Sequence, residues 1–184
     1  MNKQSLKDII ALGEGYTTEF KRSGTTGLGR EICAFANALG GVILIGVNDS
    51  GEIVGVKDHN RLKSEVQTIA RSADPPVLIE TSSVDDVLYI EISEQHSKPY
   101  SFAGKFYIRE GATSQQMSRE EIREFFFKEG LIKYDQVLCI EYDFDNDLTP
   151  EIWKKFAKAA RIPPDIKMET ALGNLHLIKN KKMT

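Results

Sequence analysis

Three carboxylates and five bases carry most of the chemistry this sequence could perform. Glu14 and Glu19 stand five residues apart around the entrance to an extended segment, and Asp49 lies in the turn Asn48-Asp49-Ser50-Gly51. Carboxylates brought together can hold Mg2+ or Mn2+, which activates water and stabilises the charge that builds on a phosphoryl centre. Lys21 would then neutralise a non-bridging phosphate oxygen. The same acids also read as solvated, or as partners of neighbouring bases. Lys98 and Lys105 are interleaved with Tyr100, Phe102 and Phe106. That is the composition of a platform on which bases stack, although aromatics in hairpins also make core. Arg109 follows Phe106-Tyr107-Ile108 and has two readings: a bidentate phosphate donor, or a buried pair with Glu14, Glu19 or Glu110. Arg30 and Asn37 lie seven apart and share a helix face. That face could meet a phosphate backbone, or Asn37 could cap backbone groups near Gly40-Gly41.

The elements that must position these groups centre on Arg30–Val56. Ile32, Phe35, Ala36 and Leu39 have the spacing of one helical face, and Gly40-Gly41 stops that helix. Val42–Val47 reads as a strand apolar on both faces, and so central and covered. Glu52–Val56 is expected to return as the second arm of a hairpin. Upstream, Ser5 caps a helix over 6–12 that ends at Gly13, and Tyr16–Lys21 reads as a strand. Downstream, Asp58 or Asn60 caps a helix with Leu62, Val66, Ile69 and Ala70 on one face, ended by Pro75-Pro76. Val77–Ser82 and Val87–Ser93 pair through Val84-Asp85-Asp86, and Lys105–Arg109 forms a further strand. Ser118 and Glu121 make a capping box for a helix to about Glu129. Val137–Tyr142 reads as a strand or extended linker. Thr149-Pro150 opens another helix with Ile152, Trp153, Phe156 and Ala160 on its apolar face. A last helix is expected within 165–175, with an extended piece from Leu177.

With 184 residues, 41% hydrophobic and 28% charged, the chain is long enough for one full core and a small appendage. The longest apolar run is far short of a membrane span, and the first residues lack a signal peptide's apolar core. The expected compartment is the cytoplasm. Cys33 and Cys139 read as small buried hydrophobes. A net charge of −3 gives no global pull toward nucleic acid. Its distribution is uneven: residues 134–152 carry six acids and no Lys or Arg, and residues 153–184 carry eight bases against two acids. Such a shift marks a segment boundary near residue 134. Gly24–Arg30 lacks the Gly-Lys-Ser/Thr of a phosphate-cradling loop. Gly40-Gly41 precedes a strand, the wrong order for a dinucleotide site. His59, His96 and His176 have no ligand spacing, and neither a nucleophile elbow nor a Cys/His pairing is present.

Four segments in order carry a family resemblance: 14–21 (EGYTTEFK), 32–41 (ICAFANALGG), 45–51 (IGVNDSG), and Pro99 with 106–113 (FYIREGAT). Together they resemble the Schlafen/AlbA-type DNA-binding domain found at the N-terminus of prokaryotic transcriptional regulators and divergent helicase-like ATPases. The resemblance implies an α+β fold, a mixed β-sheet packed with helices, over residues 5–130. An acidic linker over 131–148 would follow, and 149–184 would begin a helical connection to a downstream domain, making this chain the N-terminal portion of a longer protein. DNA is the implied partner, with RNA as a second, and the expected contacts are Lys21, Arg30, Lys98, Lys105 and Arg109. Under a second reading the chain is similar to Schlafen-type metal-dependent ribonucleases, with Glu14, Glu19 and Asp49 as catalytic Mg2+ or Mn2+ ligands. The turn departs from the family here, because Asn48-Asp49 offers one acid where two are common. A third reading, from the acidic balance, is a protein-interaction or homo-oligomerisation module.

Overall fold

The computed structural model describes residues 3–132, 139, 141–179 and 182–183. The chain divides into two compact units, Met1–Phe125 and Phe126–Thr184. The first unit is built around α2 (Leu28–Asn37), which is buried along its whole length except at Arg30. A helix apolar on nearly every side belongs inside a protein. Phe35, Ile32, Ala36 and Leu28 are sealed from solvent.

Beside α2 lies a four-stranded sheet of β1 (Thr18–Lys21), β2 (Gly41–Ile45), β4 (Val87–Ile92) and β3 (Ile79–Val84), in that spatial order. β1 runs parallel to β2, and the other pairs are antiparallel. Successive side chains of a strand point to opposite faces, and β2 follows that rule between two cores. Ile43 and Ile45 join α2 and α3 (His59–Arg71), while Leu44 joins Leu6 of α1 (Lys3–Leu12) and Phe20. Both faces of β2 are covered, as its unbroken apolar run requires. Asp58 caps α3 by accepting from the Arg61 N–H at 3.1 Å.

A second, three-stranded antiparallel sheet comprises β5 (Ser101–Phe102), β6 (Lys105–Glu110) and β7 (Thr113–Gln116). It packs against α2 chiefly through β6. Phe102 lies so close over Gly29 that a Cβ there would collide with its ring. The capping box forms as expected: Ser118 N–H donates to Glu121 at 2.7 Å and Ser118 Oγ accepts from Glu121 N–H, opening α4 (Arg119–Lys128).

The second unit holds a short helical turn, α5 (Phe144–Asp147), then α6 (Pro150–Ala159), α7 (Met168–Asn174) and a two-stranded hairpin of β8 (Ile178–Lys179) and β9 (Lys182–Met183). Thr149 caps α6 through the Ile152 N–H. Trp153 and Phe156 pack with ring centroids 5.9 Å apart. Of the expected extended piece Val137–Tyr142, residues 137, 138 and 140 lie outside the described residues, and the other three belong to no strand.

The fold is α+β with a mixed sheet, and three local expectations are corrected. Glu52–Val56 is not a hairpin arm, because β1 and β4 already occupy both edges of β2. What remains there is a Val47–Ile53 bridge and the Val54 and Gly55 N–H groups donating to the Gly46 carbonyl. Leu39 is 64% exposed, since α2 ends two residues before it, and Cys139 is exposed rather than buried. No helix among the described residues is long and apolar enough to cross a membrane.

The turn from α2 into β2 depends on Gly40, at φ +78°, where a Cβ would strike the Ile92 carbonyl. Gly104 has a similar φ of +73° and open space around it. Gly104→Ala should therefore cost about 1–2 kcal/mol from conformation alone, and Gly40→Ala clearly more, as urea unfolding of the two variants will measure.

Candidate functional site

The conserved geometry of a strand fixes where Glu19 points. Glu19 pairs in register with Ile43, so its side chain emerges on the α2 side of the sheet, whereas Phe20 turns to the other core. From β6, Arg109 enters the same space, with its side chain fully sealed from solvent. Its Nη1 donates to Glu19 at 2.9 Å, Glu31 at 3.3 Å and Ser114 Oγ at 3.1 Å. Its Nη2 donates to the Gly15 carbonyl at 2.7 Å and more weakly to that of Thr18 at 3.4 Å. The guanidinium carbon lies 4.5 Å from the centroid of the Phe35 ring, a stacked cation–π contact. Only Nε lacks an acceptor.

Glu31 closes the network from α2. It is 2% exposed, accepts from Ser114 Oγ, and takes Nε and Nη2 of Arg30 at 3.1 and 2.8 Å. The bond to Glu31 raises the Arg30 guanidinium above its ordinary pKa. Two cations and two carboxylates thus alternate from half-exposed Arg30 to sealed Arg109. Burial is the main reason the Glu19 carboxyl titrates above its ordinary value of 4.5, with Glu31 adding to the rise and Arg109 opposing it. Glu31 went unrecognised in the sequence. A signal was present, because residue 31 lies three after Leu28 and four before Phe35, on the buried stripe.

A second polar seam joins α2 to the small sheet. Asn37 Nδ2 donates to the Tyr100 carbonyl at 2.8 Å and the Tyr107 carbonyl at 2.9 Å, while its Oδ1 accepts from the Tyr100 N–H at 2.6 Å. Asn37 therefore does not cap the Gly40-Gly41 turn; it satisfies strand groups across the interior. Cys33 donates to the same Tyr100 carbonyl at 3.0 Å, and burial pushes its thiol up to about 11. That thiol is inert at neutral pH.

The expected site residues separate into two groups. Arg109 is an interior hub, and no phosphate can reach it. Lys98 is also committed, its side chain 12% exposed and its Nζ donating to the Ala38 carbonyl at 2.6 Å. Tyr100 is buried core and Phe102 covers Gly29, so these two rings offer no stacking platform. Lys21, Arg30 and Lys105 instead keep contact with solvent. Lys21 ends β1 in the segment leading into α2, Arg30 lies in the helix's first turn, and Lys105 pairs with Phe102 above Gly29. That helix end has Gly27 at its N-cap and no side-chain cap.

The three carboxylates do not form a donor set. Glu14 accepts from the Phe20 N–H at 2.8 Å, Glu19 is tied to Arg109, and Asp49 is exposed in a turn held by Asn48 Oδ1 accepting from Ser50 and Glu52 N–H. Among the described residues no three His, Cys, Asp or Glu side chains gather where a metal ion could be held. The proposed metal trio has no geometric support.

A family model described as Schlafen, AlbA_2 matches residues 14–118, more than half of the chain. Among solved structures, the DIP2311 protein of Corynebacterium diphtheriae is similar at 18% identity and a TM-score of 0.49, covering 98% of this chain and 42% of that one. The present chain thus spans less than half of that protein's length. No curated protein matches.

Two consequences can be measured. Arg109→Ala leaves Glu19 buried without its cation and Glu31 with Arg30 alone, and should cost about 3–5 kcal/mol, read by urea unfolding. Because the native Glu19 carboxyl titrates above its unfolded value, the native state holds the larger share of its proton between the two. Its contribution to stability therefore falls as pH rises from about 4.5 through the raised native value. Glu19→Gln should remove that component of the stability–pH slope; an unaltered slope would contradict the assignment.

Proposed function

Because the chain belongs to the Schlafen, AlbA_2 family, we propose that it is a nucleic-acid-binding module, with duplex DNA as its partner, within a transcriptional regulator or helicase-like protein. The observation that carries this reading is the set of solvent-facing cations Lys21, Arg30 and Lys105, with Arg30 in the first turn of α2. The positive dipole end of a helix attracts an anion, and since the Leu28, Arg30 and Glu31 N–H groups already donate to the Thr25 and Gly27 carbonyls, the three cations would make the contacts. Arg30 shares its charge with Glu31 but keeps half its side chain in solvent. Lys105 is exposed, and neither it nor Lys21 forms an ion pair with a described residue.

Duplex is favoured over single strand because unstacked bases need open aromatic faces, and Tyr100 and Phe102 are spent on packing. Contacts of this kind fix position on the duplex without reading sequence. Phosphate contacts by these three residues should contribute about −3 to the log–log salt slope. Fluorescence anisotropy of duplex and single-stranded probes across a salt series tests this. Lys21→Glu with Lys105→Glu should lower duplex affinity roughly tenfold while leaving stability within about 0.5 kcal/mol. Failure to bind any probe at low salt would overturn the proposal.

A further inference from the structure

The end of the chain is basic: the second unit as a whole carries ten bases and nine acids, but its positive charge is gathered in residues 153–184. Residues 1–125 carry fourteen bases and eighteen acids, a net −4, whereas residues 153–184 carry eight bases and two acids, a net +6. Much of that excess sits on α6. Lys154 and Lys158 lie one turn apart on the same face of the helix, Lys155 stands beside them, and Arg161 follows just past the cap. All four are exposed, and none forms an ion pair with a described residue. Glu151 precedes Lys155 by four, the favourable order for a pair, yet no bond joins them.

This arrangement weakens the helix that bears it. Like charges one turn apart repel. Arg161 adopts φ +54°, and α6 is closed by the Ile162 N–H donating to the Ala157 carbonyl at 2.9 Å. That is the left-handed closing position where glycine is usual and any side chain is disfavoured. The helix dipole favours a cation in the last turn, which accounts for Lys158. It does not account for Lys154 and Lys155 a turn earlier, nor for an arginine in a glycine's place.

We infer that α6 is a second phosphate-directed surface, docking Lys154, Lys155, Lys158 and Arg161 against the backbone of nucleic acid. The inference rests on the nucleic-acid-binding reading above. From Lys154 to Arg161 the helix advances about 10 Å, the axial length of about three phosphates on one strand. An anionic bilayer fits less well. A helix lying in a membrane interface needs a continuous apolar face free to enter it, and of the large apolar residues of α6 only Ile152 is exposed, while Trp153 and Phe156 are half-buried and packed on each other.

The test uses the full chain and a labelled duplex over a salt series. Lys154→Gln with Lys158→Gln should reduce the salt slope by about 2 and weaken binding roughly tenfold, with helical content by circular dichroism unchanged. Arg161→Gly separates function from folding. Glycine relieves the left-handed position, so its thermal midpoint should equal or exceed wild type while its affinity falls. Wild-type binding that neither α6 change alters would overturn this inference and leave the family-domain site standing. Loss of binding in the α6 variants but not in the Lys21→Glu and Lys105→Glu variant would support α6 and locate binding there. A wild-type chain that binds no duplex overturns both. Binding to phosphatidylserine vesicles that needs the α6 lysines, with duplex affinity unaffected by their loss, would overturn the nucleic-acid assignment.

Discussion

A guanidinium sealed from water must be surrounded by acceptors, and the family domain is assembled so that Arg109 is. Its partners come from the α1–β1 loop, β1, α2 and β7, so one side chain spans four separate pieces of chain. The requirement runs both ways. Glu31 could not occupy the buried stripe of α2, nor Glu19 the inward face of β1, without a cation between them. The stacked ring of Phe35 completes the enclosure, so the apolar core and the ionic one are the same object. Net stability from such a network is modest, but it permits a single arrangement of α2 against both sheets.

That constraint also sorts the basic residues. A base on a short strand facing a helix is drawn inward when acids wait there, and Arg109 is such a case. Lys98 is taken by the open carbonyl of Ala38 where α2 ends. What stays in contact with solvent are Lys21 and Lys105, which form no ion pair with a described residue, and Arg30, which shares its charge with Glu31. The two ends of α2 are thus used differently, with a half-exposed cation in its first turn and a carbonyl held by Lys98 just past its last.

Much of the architecture was legible in the residues. The six apolar residues after Gly40-Gly41 require a strand covered on both faces, and Ser118 with Glu121 states its own helix start. The errors share one cause, which is competition for partners that a linear reading does not contain. Glu52–Val56 has hairpin chemistry, yet β1 and β4 claim both edges of β2. Asn37 has the chemistry of a local cap, yet the carbonyls of Tyr100 and Tyr107, 63 and 70 residues away, claim its amide. Arg109 could be matched with several acids by sequence, but Glu31, the acid most enclosed with it, looks at first like an ordinary exposed helix residue. The carboxylates failed as a group for the same reason. Glu14 is taken by a backbone N–H and Glu19 by Arg109, which leaves Asp49 exposed in its turn without them.

The three-stranded sheet of β5, β6 and β7 looks like a minor attachment beside the larger one. Yet it delivers Arg109 and Ser114 to the interior and accepts the amide of Asn37. A chain cut short after β4 would keep every strand of the main sheet, yet it would bare the α2 face that β6 covers and take from Glu19 the cation it is tied to. The ribbon over residues 101–116 is therefore part of the core, inseparable from the helix it shields.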